Sequence, residues 1–128
     1  MHYVDLVALL AVAQLVFFSL LVGRARGLYG VKAPAVTGHE MFERTYRVQM
    51  NTLELSVPFL GSLYIAAKYW PPIYVAAVGV IYVIGRMMYW RSYVASPASR
   101  SNAFGLSMLP IMALILAALA GIVRGLLT

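Results

Sequence analysis

Four apolar stretches divide the chain: Val4 to Val22, Leu53 to Ala67, Ile73 to Trp90 and Ala103 to Val123. The last carries no charge and makes about 31 Å of helix at about 1.5 Å per residue, which matches a bilayer core. The pattern predicts helices over residues 3–23, 41–68, 73–94 and 102–126. Between them the breakers cluster. The first helix is expected to end at Gly23-Arg24, and residues 24–40, with Gly27, Gly30, Pro34 and Gly38, to form a long loop. Thr37 or the run Gly38-His39-Glu40 opens the second helix, with Glu40 and Glu43 near its positive end. Pro58 and Pro110 predict bends. Trp70-Pro71-Pro72 predicts a tight turn, flanked by Tyr64, Tyr69 and Tyr74 as an interfacial aromatic belt. Residues 96–102 read as a loop with several candidate caps for the fourth helix.

Composition agrees with this pattern. The chain has 128 residues, 62% of them hydrophobic and 11% charged, with a mean hydropathy of +0.83. Residues 1–128 then form a single domain, an all-α integral membrane bundle of four transmembrane helices. The first stretch lacks a basic leader, so it is expected to stay as a helix rather than be cleaved. There is no cysteine, and the only histidines are His2 and His39. Neither a thiol nucleophile nor a metal site is expected.

The net charge of +6 does not point to nucleic acid. Arg24, Arg26, Lys32, Arg44 and Arg47 flank the first loop, and Arg86, Arg91 and Arg100 the third. Lys68, Arg124, Asp5 and His2 fall on the other side. By the positive-inside pattern, loops one and three face the cytoplasm and both termini lie opposite.

The polar residues form two stripes. At about 100° per residue, Arg44, Arg47, Asn51 and Glu54 share a sector of about 80° on the second helix. On the third helix Tyr82, Arg86, Tyr89 and Tyr93 follow i, i+4, i+7, i+11. Arginines near helix ends snorkel and tyrosines gather at interfaces, and an Arg47–Glu54 pair is also compatible with a purely structural role. A charge at depth, however, costs on the order of 2.5 kcal/mol or more on insertion scales, so such residues usually face a bundle interior or a wet cavity. Arginines beside one carboxylate, an amide and tyrosyl hydroxyls suit a small zwitterion richer in negative than positive groups.

The second helix, Phe42-Glu43-Arg44-x-x-Arg47-x-Gln49-x-Asn51-x-x-Glu54-x-x-x-Pro58-Phe59, resembles the MAPEG family, membrane-associated proteins in eicosanoid and glutathione metabolism. Gly85-Arg86-x-x-Tyr89-x-x-x-Tyr93 followed by Arg100 resembles its leukotriene C4 synthase branch, whereas the spacing from Glu54 to Pro58 resembles the prostaglandin E synthase branch. Tyr89 stands where some members have His. The resemblance implies a homotrimer that binds glutathione between subunits near the cytosolic face, and the short termini without a retention signal lead to the expectation of a prokaryotic inner membrane. Carried over by position, Arg26, Arg47, Asn51, Glu54, Arg86, Tyr89 and Tyr93 would hold glutathione, and Arg100 would stabilise its thiolate as the catalytic residue. The implied activity is a glutathione transferase acting on lipophilic electrophiles delivered by the lipid, with peroxidase activity on lipid hydroperoxides. Two other classes stay open: a non-catalytic lipid-binding adaptor and a small proton-coupled exporter using Glu54.

Overall fold

The computed structural model describes the backbone of residues 1–128 and every side chain except those of Ser99 and Arg100. It contains four long helices, α1 (His2–Tyr29), α2 (Glu40–Tyr69), α3 (Pro72–Ala95) and α4 (Arg100–Leu127), with a single 3-10 turn, Pro97–Ser99, before α4. Both α1 and α4 pack against α2 and against α3. The interior is filled by Val4, Val7, Phe59, Leu63, Tyr82, Ile111 and Leu114, with Phe59 and Tyr82 stacked at 3.8 Å between ring centroids. The outer faces of α1, α3 and α4 carry exposed Leu, Ile, Val and Met throughout their length. An apolar exterior of this extent marks a surface that faces lipid or a partner rather than water. By length and composition α1, α3 and residues Ser101–Leu127 of α4 can each cross a membrane, and the protein is an integral membrane helical protein.

The first helix departs from the sequence expectation. It runs through Gly23 and Gly27 to Tyr29 and stops at Gly30, whose φ of 69° is left-handed. Each internal glycine costs a helix about 1 kcal/mol relative to alanine, but the buried side of α1 runs from Val22 across Gly23 to Ala25, and both pack with Val31 and Phe42. Tertiary burial therefore overrides the glycines, and Gly30 ends the helix because it adopts a conformation that other residues avoid. The connection to α2 is correspondingly shorter than residues 24–40.

Helix α2 starts at the predicted place. His39 caps it, Nδ1 accepting from the Met41 N–H at 3.1 Å, and its ring stacks on Tyr29. The helix continues through Pro58 to Tyr69. The Trp70-Pro71-Pro72 turn follows, and its aromatic ring is more than a belt residue: Trp70 Nε1 donates to the Ala117 carbonyl at 2.7 Å. Arg124 Nη2 donates to the Tyr69 carbonyl at 3.1 Å, and its guanidinium lies over the Trp70 ring. Polar side chains also tie the helices within the bundle. Gln49 donates to Ser19 at 2.7 Å, joining α2 to α1, and Gln14 donates to the Val83 carbonyl at 2.9 Å, joining α1 to α3. Hydrogen bonds of this kind add to packing where lipid supplies no hydrophobic drive between helices.

Candidate functional site

The two polar stripes meet at the end of the bundle where α3 gives way to α4. There Arg47 and Asn51 from α2, Tyr89 and Tyr93 from α3, and Ser101 and Phe104 from the first turns of α4 line a cavity of about 600 Å³. That lies in the range of small-molecule sites, about 300–1,000 Å³.

Each wall is built differently. Arg47 Nη1 reaches along α2 to Glu54 Oε1 at 3.0 Å, two turns away, and both side chains are about half exposed (49% and 57%). Such an exposed pair contributes little to stability, about 0.2–1 kcal/mol, and stays available to exchange partners with a ligand. Asn51 is buried and accepts a hydrogen bond from Arg86 Nη1 at 2.7 Å. Arg86 has no exposed surface and lies behind Asn51, with its guanidinium carbon 4.3 Å from the Tyr89 ring centroid. Tyr89 stacks on Tyr93 at 5.4 Å and is tilted against Phe104 at 6.1 Å. This places two phenols, one amide and the Arg47 guanidinium on one polar recess, with the Arg86 guanidinium behind them.

Helices α3 and α4 approach closely at Gly85. A Cβ on Gly85 would stand 2.7 Å from the Leu106 carbonyl carbon, so only glycine lets the helices touch there.

Not every predicted residue joins the cavity. Arg26 does not border it: Nη1 donates to the carbonyls of Ala35 at 2.7 Å and Val31 at 3.4 Å, and the guanidinium covers Phe42. Within this chain Arg26 holds the first loop. Arg44, on the same stripe as Arg47, instead donates to the last carbonyls of α3, Val94 and Ala95, and pairs with Glu40. Glu54 reaches the recess only through Arg47. Tyr82 belongs to the core. Arg100, the expected catalytic group, has its side chain outside the described residues.

Ser101 and Phe104 were not foreseen. Ser101 reads as one of several caps, and a Phe within an apolar run carries no polar signature. Among the described residues, no cluster of three or more His, Asp or Glu is placed to hold a metal ion.

The sequence profile of the MAPEG family matches residues 4–120. An uncharacterized protein of Synechocystis is 41% identical over 114 residues, covering 88% of this chain and 83% of its own. Human microsomal glutathione S-transferase 2 is 36% identical over 102 residues, 80% of this chain and 69% of that protein. Guinea pig (Cavia porcellus) leukotriene C4 synthase is 38% identical over 94 residues, 73% of this chain and 63% of that protein. A profile match over nearly the whole chain, joined by these relatives, establishes that the chain belongs to the MAPEG family.

Proposed function

We propose that the protein is a membrane-bound glutathione transferase that conjugates the glutathione thiolate to lipophilic electrophiles. The observation that carries this reading is the convergence of Arg47, Asn51, Tyr89 and Tyr93 on one polar recess in an otherwise apolar bundle. Their donor chemistry fits the carboxylates and carbonyls of glutathione, and relatives named microsomal glutathione S-transferase 2 and leukotriene C4 synthase support the same substrate.

In this reading α2 is a fourth crossing, loops one and three face the cytoplasm, and the recess opens there. Three copies assemble so that a neighbouring subunit completes the site, which is where Arg26 would contribute. Glu54 receives the ammonium of glutathione and Arg47 a carboxylate. Arg100 is the catalytic residue: a guanidinium against sulfur favours the thiolate over a thiol whose ordinary pKa is about 8.5. The sulfur then bonds to the electrophilic carbon, and the leaving group departs with its electron pair. With a lipid hydroperoxide, two thiols supply the two electrons, giving alcohol, water and glutathione disulfide.

The test is conjugation of a generic aryl halide by detergent-purified protein. Glutathione-dependent product well above the uncatalysed background is expected. Absence of both product and glutathione binding would overturn the reading in favour of a non-catalytic role.

A further inference from the structure

Arg86 is fully buried, yet it pairs with no carboxylate among the described residues. Its Nη1 bonds to Asn51, whereas Nε and Nη2 find no partner among the described residues. A buried cation with so few partners is costly, which invites the question of what it does for the residues it touches.

A guanidinium carries only donors, so the Asn51 atom that it meets is the carbonyl oxygen. An asparagine amide can in general be turned through a half-rotation, and its orientation is assigned from its neighbours. Here the alternative would set the amide N–H₂ against a guanidinium N–H, leaving two buried donors face to face and a third Arg86 nitrogen unsatisfied. Arg86 therefore allows one orientation. Asn51 borders the recess, and with its oxygen committed to Arg86 the group left for the recess is the amide N–H₂.

We infer that Arg86 is a positioning residue that fixes Asn51 as a hydrogen-bond donor, so that this point of the recess selects a carboxylate or carbonyl oxygen and rejects an ammonium. The inference rests on the glutathione reading for its ligand, and on the Arg86–Asn51 contact alone for its mechanism.

Asn51→Asp separates the two. It keeps the side chain's size and an oxygen for Arg86, and it turns the recess-facing donor into an acceptor. The variant should melt at or above the wild-type temperature in detergent, because its carboxylate pairs with Arg86. Titration with glutathione should show affinity weakened by about 10- to 100-fold, the loss expected when a hydrogen bond to a charged group becomes a clash of acceptors. The penalty should be smaller for glutathione ethyl ester, which carries one fewer negative charge. In an Arg86→Met background, Asn51→Asp should instead lower the melting temperature, since the buried carboxylate has lost its partner. Wild-type affinity for glutathione in Asn51→Asp would overturn the inference, as would equal destabilisation in both backgrounds. If the wild type binds no glutathione, the glutathione reading and the ligand preference built on it fall, while the two melting comparisons still decide whether Arg86 holds Asn51.

Discussion

Gly85 faces the Leu106 carbonyl so closely that a Cβ would lie 2.8 Å from its oxygen. The same carbonyl has lost its own helical donor, because Pro110, four residues on, has no N–H. The α3–α4 contact is thus a backbone-to-backbone approach that neither helix can adjust by rotating a side chain. Gly85→Ala is expected to destabilise the bundle by about 1–3 kcal/mol, the usual range for overpacking. Thermal unfolding in detergent measures this, and a melting point equal to wild type would contradict the close approach.

Arg44 and Arg47 sit one turn apart and are expected to separate cleanly in function. Arg44 satisfies the terminal carbonyls of α3, so Arg44→Ala should cost about 1–2 kcal/mol of stability, as for a lost charged hydrogen bond at a helix C-terminus. Its effect on KM for glutathione should be small. Comparing melting and steady-state kinetics on one preparation checks both halves.

Arg47→Ala should do the reverse. Its pairing with Glu54 is half exposed, so stability should fall by less than about 1 kcal/mol. Glutathione affinity should drop by about 10- to 100-fold if Arg47 binds a carboxylate of the ligand. Titration of the variant with glutathione reads the second number directly.

Arg100→Ala should remove the thiolate absorbance of bound glutathione while leaving much of the binding. The remaining conjugation rate should then climb with pH towards an ordinary thiol pKa of about 8.5, instead of reaching its plateau at lower pH. An unchanged absorbance and pH–rate profile would remove Arg100 from the catalytic role.

The polar stripes were legible in the sequence because a charge inside an apolar run is itself the signal, and helical spacing then says which residues share a face. Spacing gives an angle but not a depth. Tyr82, Arg86, Tyr89 and Tyr93 form one stripe, yet Tyr82 stacks in the core, Arg86 lies behind Asn51, and Tyr89 and Tyr93 reach the recess. Likewise Arg44 and Arg47 share a face but differ in what stands opposite them, which only the packing of α3 decides. Helix α1 ends beyond Gly23 because that glycine is only a local signal, while the packing of Val22 and Ala25 on Phe42 that carries the helix past it joins residues distant in sequence. Phe104 belongs to the site through a tertiary contact, its ring lying against Tyr89 of α3, which no local pattern encodes.

The fastening of Trp70 to Ala117 and of Arg124 to Tyr69 joins α2 and α4 at the end of the bundle far from the recess. From Trp70 back to Arg47 the lever arm is about 35 Å at about 1.5 Å per residue, so one degree of relative tilt moves the recess wall by ~0.6 Å. That sensitivity is held in check at the recess end as well, where Arg44 binds the last carbonyls of α3 and Gly85 meets the Leu106 backbone, so the walls are braced from both ends.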